Sequence, residues 1–248
     1  MQHTKTVLFV LFLLLSLGAC TPYQALKPVK DLHNGTQIES DSSIDQLIAP
    51  YKKDLVAEMG QEIGKAKKDL TKERPESTLG NFVADAILET ARAHYDKDIH
   101  FSLPNYGGLR VPSLNEGAIT KGEIFELMPF DNLLVVLTID GKMVEQLLTH
   151  TIVKEGWPLS KGIKVEADTL HKKHRFFIND KAVKPNETYR FCVSDYIANG
   201  GDDCSFLKDQ KREELDILFR EAIMEYVKTQ TKNKETVDAN IEGRFIYK

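Results

Sequence analysis

From Thr78 to Tyr247 the chain switches between helical and extended hydrophobic spacing, without the regular strand–helix–strand alternation of a doubly wound sheet. That order restricts it to the α+β class, with mixed sheets and flanking helices. The clearest helix is Thr78–Tyr95, where Leu79, Phe82, Val83, Ala86, Ile87 and Thr90 recur at steps of three and four and form one apolar face. Ser77 or Thr78 can cap it. Thr120 and Glu123 have the spacing of a capping box, which opens a short helix ending near Met128. Leu133–Ile139 is an apolar, β-branched run that predicts a buried strand, and Asp140 caps a helix through Met143–His150. Ser43–Met59 has helical spacing broken around Pro50, and a strand is possible between Gly60 and Gly64. Further strands are predicted at Ile99–Leu103, Tyr189–Val193 and Gly243–Tyr247. Gly162–Tyr189 reads as strands joined by turns at Asn179-Asp180 and Pro185-Asn186. A last helix is predicted near Glu213–Lys228.

The start of the chain has a different character. Lys5 precedes an apolar run, Val7–Leu17, too short to cross a bilayer as a helix, which needs about 20 residues. It has the length of a signal-peptide core. The run ends in Leu17-Gly18-Ala19-Cys20, which resembles the bacterial lipobox, where small residues precede the cut and the cysteine thiol takes the lipid. Residues 1–19 are therefore expected to be a lipoprotein signal peptide and Cys20 the lipidation site. Residues 20–42, polar and interrupted by Pro22 and Pro28, are expected to be a tether, and residues 43–248 the folded domain. The expected location is the cell envelope, with the chain lipid-anchored on a periplasmic or outer-membrane face.

A net charge of -4 over 248 residues is not that of a phosphate-backbone binder, so no nucleic-acid polymer is expected as a partner. Cys192 and Cys204 can either pair or remain small buried residues; the expectation is no disulfide. His171 and His174 lie among Lys172, Lys173 and Arg175, and that positive field opposes a metal cation. No metal ligands and no nucleophile–base constellation are legible, so no catalytic residue is assigned.

Two glycine loops are the candidates for ligand chemistry. Asn105-Tyr106-Gly107-Gly108-Leu109-Arg110 follows a predicted strand; paired glycines let bare backbone approach a ligand, and an amide and a guanidinium flank them. Tyr196-Ile197-Ala198-Asn199-Gly200-Gly201-Asp202 repeats the logic with an aromatic and a carboxylate. Between them, Pro129 fixes a turn that aims Phe130. Two rings, an acid and an amide suit a planar heterocycle bearing a sugar.

Four blocks in order resemble the C-terminal domain of the 5'-nucleotidase family: Glu76-Ser77-Thr78-Leu79-Gly80-Asn81 with Ala84-Asp85-Ala86, then Asn105–Arg110, then Met128-Pro129-Phe130, then Tyr189-Arg190 through Asp202. The resemblance implies a layered α/β/β/α domain and a nucleoside or nucleotide ligand. It implies that Phe130 and Tyr196 sandwich the base, that Asn105 hydrogen-bonds the base or a nearby loop, that Arg110 reaches the nucleotide and that Asp202 accepts from the ribose hydroxyls. Gly107, Gly108, Asn199, Gly200 and Gly201 complete the implied binding loops. Thr78 departs from the family's Asn, and Pro75 displaces Arg74 from the position of a family ligand arginine.

The family's metal-binding catalytic motifs are not found in this sequence, so divalent metals are expected only in a separate metallophosphatase partner. The first functional expectation is the recognition subunit of such a split 5'-nucleotidase in nucleotide breakdown. The alternative is a nucleoside-binding lipoprotein with no catalytic partner, and the third reading is a stand-alone hydrolase with an unrecognised site.

Overall fold

The computed structural model describes residues 42–248. The expected signal peptide, Cys20 and all of the expected tether except Ser42 lie outside the described residues. Residues 50–248 cluster as one unit. The first helix, α1 (Ser42–Met59), runs through Pro50. No described helix is long and apolar enough to cross a membrane.

Two four-stranded sheets organise the domain. The first comprises β3 (Phe101–Ser102), β6 (Leu133–Asp140), β10 (Thr188–Ser194) and β11 (Lys211–Leu218), in the order β11-β6-β10-β3. Only the β10–β3 pair is parallel. The second comprises β7 (Ile163–Asp168), β8 (Lys173–Ile178), β9 (Lys181–Ala182) and β12 (Phe245–Tyr247), in the order β12-β7-β8-β9, with β12 parallel to β7. Two short antiparallel pairs complete the set: β1 (Glu62–Ala66) with β5 (Gly117–Thr120), and β2 (Leu70–Thr71) with β4 (Ser113–Leu114).

The pleat of β6 divides the core. Leu134 and Val136 face a cluster with α2 (Thr78–His94), α3 (Lys121–Leu127) and α6 (Phe219–Lys232). Val135, Leu137 and Ile139 face a second cluster, shared with α4 (Gly141–Val153), the short α5 (Asp195–Ala198) and the inner face of the second sheet. The order is helices, sheet, then α4 with the second sheet, an α+β architecture as expected. Cys192 and Cys204 are free and buried, one in each cluster.

Local chemistry explains the boundaries. Ser77 Oγ accepts from Gly80 N at 2.9 Å to cap α2, Asp140 caps α4, and Thr120 with Glu123 forms the full capping box of α3. Asn179 and Asp180 both have positive φ, 49° and 61°, which makes the tight turn between β8 and β9. The helix predicted at Glu213–Lys228 is corrected: Lys211–Leu218 is a strand on the edge of the first sheet, and α6 starts at Phe219. Leu215 and Ile217 pack on the first cluster, while the strand pairs with β6, and this pairing overrides the helical propensity of Lys-Arg-Glu-Glu.

The second sheet carries a charge device. Glu166 on β7 meets Lys248 at 2.8 Å and Lys164 at 3.3 Å, with Arg175 also paired to it. Lys248 foremost, with Lys164 and Arg175, holds its carboxyl at about 2, against an ordinary value of 4.5. A depressed carboxylate pKa gives stability that is full above the unfolded value and is lost as pH falls from there toward 2. Urea unfolding between pH 5 and pH 2 is therefore expected to show a shallower pH slope in Glu166→Gln than in the wild type. Identical slopes would remove this role.

Candidate functional site

The topology of the first sheet gathers four loops at one end. β10 and β3 run parallel, and both antiparallel pairs of β6 place its start beside the ends of β10 and β11: Leu134 opposes Ser194, and Leu133 opposes Leu218. The loops after β3, before β6 and after β10 therefore emerge together with the start of α6. These are the segments holding Asn105–Arg110, Met128–Asn132, Asp195–Asp203 and Phe219-Arg220.

A cavity of about 560 Å³ lies among them. Asn105, Gly107, Gly108 and Arg110 line it from the first loop, Phe130 from the second, and Tyr196 and Asp202 from the third. The sequence-derived candidates thus converge, with three exceptions. Asn199, Gly200 and Gly201 do not line the cavity; they shape the loop behind it. Asn199 Oδ1 accepts from Arg212 Nη1 at 2.6 Å, and Gly200 has φ 90°. Gly201 lies directly under the Tyr196 ring, where a Cβ would fall 2.5 Å from ring carbons. Met128, Asp131, Asn132, Ser194 and Phe219 also line the cavity and were not assigned from the sequence.

The two rings are solvent-facing: Phe130 is 41% exposed and Tyr196 46%. A buried-core reading of either is thereby excluded. Asp202 joins the loops. Asn105 Nδ2 donates to its Oδ2 at 2.7 Å, and the Tyr196 hydroxyl donates to its Oδ1 at 2.8 Å. The Asp202 carboxylate raises the Tyr196 hydroxyl above its ordinary pKa by accepting that proton. Asp202 holds φ 49°, in the left-handed region that Asp tolerates better than most residues. A carboxylate has about four acceptor sites, so two remain for a ligand. Below, Asp195 Oδ1 accepts from Asn132 Nδ2, Leu133 N and Tyr196 N, which fastens the Phe130 loop to the Tyr196 loop.

One side of the site is cationic. The Arg110 guanidinium stands 5.6 Å from the Phe130 ring centroid. Lys72 and Arg74 both stack on Tyr106, at 4.1 and 3.8 Å. Burial, then Arg110 and Arg74, push the Lys72 ammonium below its usual pKa. Arg74, displaced in sequence by Pro75, still reaches this cluster but is not in the cavity lining. Lys72 had no sequence signal, because it falls before the Glu76–Asn81 block and in none of the recognised motifs.

The Glu76–Asn81 block has a different task. Glu76 accepts from Asn81 Nδ2 at 2.7 Å, Glu242 N at 2.8 Å and Arg244 N at 2.9 Å, so it clasps the C-terminal segment to the start of α2. Among the described residues no three His, Cys, Asp or Glu side chains are placed to hold a metal ion. His171 instead pairs with Asp168 at 2.8 Å.

Two exposed rings, a held carboxylate and a cationic flank around one cavity have the make-up of a small-ligand site, a partly apolar concave lining with a few placed polar groups. Residues 62–209 match the family described as 5'-nucleotidase, C-terminal domain, and the chain belongs to that family. It is 28% identical over 234 residues to the trifunctional nucleotide phosphoesterase protein YfkN of Bacillus subtilis (strain 168), covering 86% of this chain and 15% of that protein. It is 28% identical over 178 residues to the 5'-nucleotidase of Vibrio vulnificus (strain CMCP6), covering 67% of this chain and 30% of that enzyme. The crystal structure of the 5'-nucleotidase precursor from Thermus thermophilus superposes with a TM-score of 0.69 at 29% identity, covering 84% of this chain and 43% of that one. The chain thus spans less than half the length of each of these relatives.

Proposed function

We propose that this chain is the nucleotide- or nucleoside-recognition subunit of a split 5'-nucleotidase, acting with a separate metallophosphatase chain in nucleotide breakdown. One observation carries the reading: Phe130 and Tyr196, far apart in sequence and both exposed, line one cavity with Asp202 and Arg110. A base stacks on the two rings. The free acceptor sites of Asp202 take the ribose hydroxyls, and Arg110, backed by Lys72 and Arg74, attracts the phosphate. The relatives' names, nucleotide phosphoesterase and 5'-nucleotidase, supply the substrate class. Metals that polarise the phosphoryl group and activate water belong to the partner, while this chain fixes base and sugar so that attack becomes effectively unimolecular. In the same reading Cys20 carries the lipid that holds the domain at a membrane of the cell envelope, and no cofactor binds this chain itself.

Co-purification from solubilised membranes tests it. A metallophosphatase is expected to accompany the protein, and mass spectrometry is expected to find acylated Cys20. Nucleotide hydrolysis is expected from the mixture and to be negligible from the pure chain with divalent metal added. Robust turnover by the pure chain, freed of contaminating phosphatases, would overturn the split arrangement. Adenosine binding with no partner in the membranes would instead leave a binding lipoprotein.

A further inference from the structure

We infer that Arg220 is a positioning residue for the nucleobase clamp: it straps the loop bearing Phe130 to the start of α6 and so fixes the ring for stacking. The inference rests on the recognition reading above. Arg220 lies outside every block of the family resemblance and does not line the cavity. Its guanidinium is nevertheless placed on the backbone of the Phe130 loop.

Three observations converge on it. Arg220 Nη1 donates to the Phe130 carbonyl at 2.9 Å, and Nη2 meets Asp131 Oδ1 at 2.5 Å. The guanidinium carbon stands 4.7 Å from the Phe125 ring centroid, so the fork is clamped between a helix α3 aromatic and the loop. The next backbone contact is made by the adjacent residue, with Phe219 N donating to Asn132 O at 2.9 Å. The Phe130 loop is therefore tied to α6 at Phe130, Asp131 and Asn132.

Two features of the placement are unfavourable, which points to a task. A cation in the first turn of a helix opposes the helix dipole. The Arg220 side chain is only 12% exposed, and its Nε is buried with no hydrogen-bond partner among the described residues. A buried donor left unpaired is destabilising. Those losses are offset by what the two terminal nitrogens hold. A lysine cannot reproduce this, because a point charge lacks the planar fork that reaches a carbonyl and a carboxylate together.

A double-mutant cycle on adenosine binding tests the inference, with Arg220→Gln, Arg220→Lys, Phe130→Ala and Arg220→Gln/Phe130→Ala measured calorimetrically on the full chain. Both Arg220 variants are expected to weaken binding about tenfold. The double variant is expected to bind no more weakly than Phe130→Ala alone, because Arg220 acts through that ring. Additive losses, or wild-type affinity in Arg220→Lys, would overturn the assignment. Amide hydrogen exchange over residues 128–133 gives a readout that needs no ligand: faster exchange there, with protection elsewhere unchanged, is expected in Arg220→Gln. Unchanged exchange in this segment would overturn the strap. Failure of the wild type to bind nucleosides would sink the recognition reading, and the exchange result would still decide whether Arg220 holds the loop.

Discussion

Removing either ring is expected to weaken nucleoside binding by roughly ten- to a hundredfold, about 1–3 kcal/mol, in Phe130→Ala and in Tyr196→Ala. Each substitution deletes a stacking face but opens no core cavity, since both rings are about half exposed. The thermal midpoints are therefore expected to stay close to that of the wild type. Calorimetric titration with adenosine and uridine, beside a melt of each variant, reads both quantities. Tyr196→Phe separates the two parts of its side chain: the stacking face survives, while the hydroxyl that donates to Asp202 is lost. Asp202→Asn should hurt ribosides more than free bases, because it replaces the charged acceptor offered to the sugar. Folded Ala variants with wild-type affinity would show that the rings do not form a clamp.

The largest expected effect on stability belongs to Arg244. Its side chain is 5% exposed and grips Asp85 with two parallel bonds, Nη1 to Oδ1 and Nη2 to Oδ2, both 2.8 Å. Nη1 also donates to Leu159 O at 2.7 Å, and Nη2 to Glu242 Oε2 at 2.8 Å. Arg244→Ala would leave the buried Asp85 carboxylate with only the exposed Lys161 ammonium at 3.8 Å, and the expected loss is about 3–5 kcal/mol. A domain of this size has roughly 5–15 kcal/mol in total, so the loss takes a large share of it and is expected to lower the thermal midpoint by about 10 °C. Asp85→Leu combined with Arg244→Met should lose less than either single change, because the penalty comes from the orphaned charge. Urea denaturation of Arg244→Ala, Asp85→Leu, Arg244→Met and the double variant checks this. A double variant less stable than both singles would mean that the packing of Arg244, and not charge compensation, supplies the stability.

The Asp85–Arg244 pair also shows where sequence reading stops. Asp85 stood out as part of Ala84-Asp85-Ala86 on an apolar helix, but nothing along the chain names its partner. Arg244 is 159 positions away. A bidentate pair of this kind forms only when β12 is laid beside β7 and the segment before it meets α2. The same holds for Glu76, which belongs to a recognisable block whose work is to clasp the C-terminal segment.

What the sequence determined by itself is what short-range physics writes into neighbouring residues. Ser77, Thr120 with Glu123, and Asp140 satisfy backbone donors one turn away, so α2, α3 and α4 were legible from their caps. The apolar, β-branched run Leu133–Ile139 marked the central strand, and the two glycine loops marked the segments from which half of the cavity lining comes. Only the tertiary structure decided the rest. Lys211–Leu218 has the composition of a helix and became a strand because the open edge of β6 offered backbone partners to Lys211–Glu214 and Leu218. That exchange moved the start of α6 to Phe219, and so brought Phe219 to the cavity and Arg220 to the Phe130 loop. Lys72 and Arg74 likewise joined Arg110 only because Tyr106 gave both a surface to stack on. Caps and apolar runs act over a few residues and survive in one dimension, whereas strand pairing, ion pairing and cavity lining depend on which distant segments the closed core brings within a few ångströms.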